Sequence, residues 1–162
     1  MTEARGRWAA VRAFYAQHLA EIIEAGPSAW GMDPYAWEDG CSGIVLTPIE
    51  RAIWSDIRAE AAVLYPQVPV AGYFVDFGNP AARVAIECDG KEWHQDRAKD
   101  EARQRVIESH GWAVYRISGR NCKAVDTYTI DEEGREHFSP GPARRLIRAV
   151  CQRHGIRVGA HA

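Results

Sequence analysis

The most regular patterning in the chain runs from Tyr73 to His94, YFVDFGNPAARVAIECDGKEWH. Tyr73, Val75 and Phe77 alternate with Phe74 and Asp76, then Val84, Ile86 and Cys88 alternate with Ala85, Glu87 and Asp89. A period of two predicts two strands, each with distinct faces. Pro80 marks the turn. With Pro80 to Arg83 as a four-residue hairpin loop, Asn79 pairs with Val84, and counting back sets Asp76 directly opposite Glu87 on one face.

Around this hairpin the period is helical. Trp8, Val11, Phe14, Tyr15, Leu19, Ile22 and Ile23 predict an amphipathic helix over residues 3 to about 25, stopped by Gly26 and Pro27. Ser28 to Ser42 lacks a period and reads as a loop that packs its aromatics. Thr47, Pro48 and Glu50 form a capping-box pattern opening a helix from Pro48 to about Ala61, with Ile49, Ile53 and Ile57 as its stripe. Leu64 to Val70, carrying Pro66 and Pro69, predicts an edge or bulged strand. Asp96 to His110 predicts a helix with Ala98, Ala102 and Val106 on one side, stopped by Gly111, and Trp112 to Ile117 a fourth strand. Asn121 to Ser139 is turn-rich, with DEEG at the tip of a hairpin carrying Tyr128 and Phe138. Pro142 to Gly155 predicts a last helix with Ala143, Leu146, Ile147, Val150 and Cys151 inside and Arg144, Arg145 and Arg148 outside, followed by frayed residues. The order helix, three strands, helix, strand indicates an α/β fold with a mixed sheet flanked by helices.

Composition narrows the class. A length of 162 residues suits one domain with its own core, a core segment of about 47–122 carrying extensions at 1–46 and 123–162. No apolar run approaches the roughly 20 residues of a membrane span, and the N-terminus lacks a charged-then-apolar signal pattern, so a cytoplasmic protein is expected. Cys41, Cys88, Cys122 and Cys151 lack the spacing of a zinc site and read as buried or free thiols. The net charge of −2 argues against broad attraction to nucleic acid, but its distribution changes that reading. Residues 1–81 carry five Lys/Arg against ten Asp/Glu, and residues 82–162 carry fifteen against twelve. A phosphate-binding surface therefore belongs to the second half, where Arg97, Lys99, Arg103, Arg105, Arg116, Arg120 and Lys123 follow the hairpin, unless that run is a solvated face.

The chemistry centres on the opposed acids. Cross-strand neighbours lie roughly 5 Å apart, and like charges there are destabilising unless a cation or a shared proton relieves them. A divalent metal is the natural relief, since Mg²⁺ favours one or two carboxylates and leaves positions for a phosphate oxygen and a nucleophilic water. The alternative is a solvated strand face with both acids in water.

The run from Thr47 to Cys122 resembles the very-short-patch-repair endonucleases and related small endonuclease-like domains of the PD-(D/E)xK superfamily, through TPIE, YPQVPVAGYFVDF, VAIECDGKEWH, Asp100, Arg103 and GWAVYRI. The resemblance implies a restriction-endonuclease-like αβββαβ core, Mg²⁺ or Mn²⁺, and hydrolysis of a DNA phosphodiester. On it, Asp76 and Glu87 are metal-binding acids and Cys88 offers its backbone carbonyl. Glu50 is the helix-borne acid near the metal, or only the helix cap. His94 is a general base or leaving-group acid, or a structural histidine. Asp89 departs from the pattern, since the superfamily usually places Lys there. An acid cannot stabilise developing negative charge, so Asp89 would orient water, bind a second metal or pair with His94, and Lys91 would supply the missing cation. Lys99 and Arg103 are expected to bind substrate, Arg103 as a phosphate clamp or as the i,i+3 partner of Asp100. Trp30, Trp37 and Trp93 either stack on bases or pack in the core. The expected partner is DNA, with a homodimer left open, and the competing reading is a binding module that has lost catalysis on the same fold.

Overall fold

The computed structural model describes residues 2–33, 46–90 and 96–159. Lys91, Trp93 and His94, together with Trp37 and Cys41, lie outside the described residues.

Four strands form the central sheet in the order β1 (Tyr65–Val70), β2 (Tyr73–Asn79), β3 (Val84–Asp89) and β4 (Ala113–Ser118). β1–β2 and β2–β3 are antiparallel, while β3–β4 is parallel and joined by a helical crossover, so the sheet is mixed. The four-residue turn sets the central register as its length requires, with Asn79 opposite Val84, Gly78 opposite Ala85 and Phe77 opposite Ile86. Asn79 fixes that turn from inside. Its Oδ1 accepts the Ala82 N–H and its Nδ2 donates to the Val63 carbonyl, both at 2.9 Å, so a fully buried amide is satisfied. β1 lies at the sheet edge, where its two prolines are tolerated.

α1 (Thr2–Ala25) buries Val11, Tyr15 and Ile22, and Tyr15 donates its hydroxyl hydrogen to the Pro66 carbonyl of β1. The following loop folds back on the helix. A Cβ on Gly31 would lie 2.5 Å from the Ile22 Cα, and the Gly31 N–H donates to the Tyr65 hydroxyl at 2.7 Å. Trp30 packs edge-on to Tyr65, which places it in the core reading.

α2 (Pro48–Ala59) starts with both halves of the capping box, Thr47 Oγ1 accepting the Glu50 N–H and Glu50 Oε2 accepting the Thr47 N–H. Ile53, Trp54 and Ile57 are buried, and Trp54 stacks on Phe77, so α2 covers the face of the sheet opposite the two acids. α3 (Arg97–Ser109) covers the acid-bearing face. It departs from expectation there: Ala98, Ala102 and Val106 face solvent, while Asp100, Arg103, Gln104 and Ile107 face inward. The inward stripe keeps the helical spacing but is largely polar, because the sheet beneath it is acidic.

The short α4 (Gly119–Lys123) was not expected from its sequence, which carries no apolar period. Ser118 caps it, and Gly119 fits because a Cβ there would approach the Asp89 carbonyl to 2.9 Å. The hairpin of β5 (Thr127–Ile130) and β6 (Glu136–Ser139) pairs Tyr128 with Phe138, as expected, and stands apart from the main sheet. Its tip is held by Asp131 Oδ1, which accepts the N–H groups of Glu133 and Arg135.

α5 (Pro142–Arg153) buries Ala143, Ile147, Val150 and Cys151. Two of its arginines are not on the outside. Glu60, at the end of α2 and fully buried, accepts from Arg144 Nε at 2.8 Å and from Arg148 Nε at 3.0 Å, and Arg144 also bonds Asp126 at 2.6 Å. A buried carboxylate needs such partners, which draws both guanidinium groups inward. Burial pushes the Glu60 carboxyl up, but the bonds from Arg148 and Arg144 outweigh it and hold the group below its usual range. The described residues after α5, up to Gly159, are pinned: Ile156 is buried, Val63 donates to the Arg157 carbonyl and Gly159 to the Glu60 carbonyl, and the last three residues lie outside the described ones.

Glu60→Ala, which removes the carboxylate shared by Arg144 and Arg148 and leaves Arg144 only Asp126, is expected to lower stability by about 3 kcal/mol in urea unfolding. Burial, then the charge of Asp126, against the opposing Arg144, pushes the Asp56 carboxyl up to about 6. A raised folded value means stability is lost as pH rises through 6. Asp56→Asn is therefore expected to raise the melting temperature at pH 7.5, the gain shrinking as pH falls towards 4.

Candidate active site

The paired β2–β3 ladder ends at Phe77 and Ile86, and continuing its register by one residue sets Asp76 opposite Glu87. There the side chains join the strands. Asp76 Oδ2 accepts the Cys88 N–H at 2.7 Å, and Glu87 Oε2 accepts the Asp76 N–H at 3.2 Å. Each carboxylate thus reaches across to the backbone of the opposite strand, and the two acids share the face under α3.

Two arginines flank them. From α3, Arg103 Nη1 donates to Glu87 Oε1 at 2.6 Å and Nη2 donates to the Phe74 carbonyl. On β4, Arg116 is the register partner of Glu87, and its Nη1 donates to Asp89 Oδ1 at 2.9 Å while its Nε donates to Gln104 Oε1 at 2.7 Å. The Glu87 side chain is 5% exposed, against 29% for Asp89, so the site opens towards the end of β3.

The charge balance is unfavourable at Asp76. Burial, then the Glu87 carboxylate and more distantly Glu50, push its carboxyl well above the usual range, against the Cys88 N–H that favours the charged form. Asp89 is also raised, first by burial and further by Glu87 and Asp100, with Arg116 pulling the other way.

The structure thus brings Asp76, Glu87, Asp89 and Arg103 together. Arg103 reaches Glu87 across the sheet in place of the local pair with Asp100. Glu50 makes its capping contact, and its charge is felt at Asp76. Lys99 is exposed on the first turn of α3. Cys88 contributes its N–H to Asp76, and its side chain lies on the other face, beside Cys122. Arg116 and Gln104 were missed as site residues. Arg116 stood in the basic run, and its place one strand away from Glu87 is the signal that singles it out.

Among the described residues no group of three or more His, Cys, Asp or Glu is placed to hold a metal ion. Asp76 and Glu87 are the residues that could do so. Their all-oxygen donors and the charge conflict at Asp76 suit a hard divalent cation, which needs only one or two protein carboxylates.

The helix, three strands, helix and strand from α2 to β4 define a restriction-endonuclease-like α/β fold with a central mixed sheet flanked by helices. A family model described as REase_MTES_1575 matches residues 49–131, about half of the chain, and the chain belongs to this restriction-endonuclease-like family. It is 36% identical over 75 residues to the uncharacterized protein YcjD of Escherichia coli (strain K12), an alignment covering 44% of this chain and 64% of that protein. The chain therefore spans less than two thirds of this curated relative. Among solved structures, the homing endonuclease I-Bth0305I catalytic domain superposes with a TM-score of 0.49 and 20% identity, over 67% of this chain and 98% of that one.

Arg103→Met, which leaves the nearly buried Glu87 carboxylate without its guanidinium, is expected to reduce stability by about 3 kcal/mol in urea. Asp76→Asn removes a buried charge set against Glu87, while its amide oxygen still accepts the Cys88 N–H. It is expected to raise the melting temperature of the metal-free protein at neutral pH, measured by calorimetry.

Proposed function

We propose that this chain is a divalent-metal-dependent DNA endonuclease of the repair, nicking or mobile-element/defence type, with Asp76 and Glu87 holding Mg²⁺ or Mn²⁺. The observation that carries this reading is the pair of opposed carboxylates, fixed by reciprocal bonds to backbone N–H groups, in a restriction-endonuclease-like domain. When bound, the ion would supply the Lewis acidity that activates water and offsets phosphate charge. The residues of the chain do the rest. Asp76 is kept in place by the Cys88 N–H and Glu87 by Arg103, so neither carboxylate has to reorganise as charge develops. The Cys88 backbone carbonyl is a further oxygen donor in this reading. Glu50 orients water from the start of α2, Lys91 and Lys99 bind the DNA backbone, and Arg103 reaches a phosphate only with the guanidinium edge left over from Glu87. His94 moves the proton to or from the reacting oxygens. In the reaction the oxygen of water bonds to phosphorus, the bond from phosphorus to the leaving sugar oxygen breaks, and that oxygen takes up a proton. The motifs shared with very-short-patch-repair endonucleases favour nicking of one strand, and a homodimer would extend this to both.

One observation favours a second reading, a DNA-binding module without catalysis. Position 89 holds an acid where the superfamily usually has Lys, and Arg103 occupies Glu87.

Supercoiled plasmid incubated with the protein and Mg²⁺ or Mn²⁺ separates the two. Nicking that falls by at least about 10²-fold in Asp76→Ala and Glu87→Ala is expected. Equal nicking by the variants would assign the activity to a contaminant. Absence of cleavage of single-stranded, duplex and mismatched DNA would leave the binding module.

A further inference from the structure

Position 89 poses a problem that the sheet itself answers. We propose that Arg116 is the cationic catalytic residue of this site, contacting the non-bridging phosphate oxygens during DNA hydrolysis, and that Asp89 positions it. This rests on the nuclease reading above.

Arg116 is placed for the task by topology. It is the register partner of Glu87 on the adjacent parallel strand, so its Cα lies roughly 5 Å from that of a proposed metal-binding acid. Its side chain shares the face that carries Asp76, Glu87 and Asp89. Asp89 Oδ1 and Gln104 Oε1 hold the guanidinium from two sides, at 2.9 and 2.7 Å, which fixes the direction of its planar fork. The Arg116 and Asp89 side chains are 22% and 29% exposed, so the pair reaches the open end of the site.

The other described cations near the acids are placed less well. Arg103 holds the nearly buried Glu87 carboxylate and the Phe74 carbonyl, which commits it as the counter-charge of Glu87. Lys99 lies on the exposed first turn of α3. A guanidinium is permanently charged and carries five N–H donors in a fork that matches phosphate oxygens, so it can be held by a carboxylate and still meet a phosphate. The acid at position 89 then has a purpose: it aims a cation delivered from the neighbouring strand. During attack of water on phosphorus and departure of the sugar oxygen, Arg116 neither gains nor loses a proton and stabilises the charge that builds on the phosphoryl oxygens.

A structural tie between α3 and β4 would use the same contacts but would be indifferent to where the cation originates, and moving the cation tests this. Wild type that fails to nick plasmid with Mg²⁺ or Mn²⁺ removes the nuclease reading, and this proposal with it. Given wild-type nicking, Arg116→Met is expected to slow single-turnover cleavage by about 10² to 10³-fold. Its circular dichroism and its metal-free affinity for a duplex oligonucleotide, read by fluorescence anisotropy, should stay within about threefold of wild type, since one phosphate contact contributes little to overall affinity. The double variant Asp89→Lys/Arg116→Met, which returns a cation to position 89, is expected to recover cleavage to within about tenfold of wild type. Arg116→Gln, which keeps a donor to Asp89, gives the same readout if the methionine variant does not fold. Wild-type cleavage by a folded Arg116→Met or Arg116→Gln, or a folded double variant as inactive as the single one, overturns the proposal.

Discussion

The site depends on one exchange of bonds: at the end of the β2–β3 ladder, Asp76 and Glu87 each bond the backbone of the other's strand. A carboxylate accepting a backbone N–H makes a charge-assisted bond, which stabilises the ionised form that burial and the neighbouring acid oppose. The sheet can therefore carry two acids at its centre. The remaining charge at Asp76 sets the demand that the other elements meet or leave for a cation.

That demand explains the helix above it. A helix packed on a sheet ordinarily turns an apolar stripe inward. α3 turns Asp100, Arg103, Gln104 and Ile107 inward and leaves Val106 at the surface. Arg103 is matched to Glu87, and Gln104 steers Arg116 towards Asp89. Apolar packing is concentrated on the opposite face, where Trp54 stacks on Phe77 and the buried residues of α2 and α5 gather. The acid-bearing face keeps a smaller apolar share, with Trp8 stacked on Phe74 and Ile107 buried.

A second buried acid serves the opposite purpose. Glu60 has two arginines from α5, one of which also binds Asp126 ahead of the final helix, and its carbonyl accepts from Gly159. Here the negative charge is fully matched, and the result is a tie between α2 and the C-terminal segment. The contrast with Asp76 is a contrast in compensation: a satisfied carboxylate anchors structure, while one left in conflict with its neighbours marks a site.

The sequence by itself determined what depends on neighbours a few residues apart. Alternation defined β2 and β3, the four-residue turn set Asn79 against Val84 and so Asp76 against Glu87, and Thr47 with Glu50 marked the start of α2. These follow from backbone geometry within one turn or one hairpin. Tertiary structure decided the partners of the charges. Arg103 meets Glu87 from 16 residues away, Arg116 meets Asp89 from 27 and Arg148 meets Glu60 from 88, and none of these pairs has a local signature. The same holds for the face that α3 turns inward. Ala98, Ala102 and Val106 are the more apolar stripe by spacing, but a helix over an acidic sheet face gains more from matching buried charge than from covering a few methyl groups, because an unmatched buried carboxylate costs several kcal/mol.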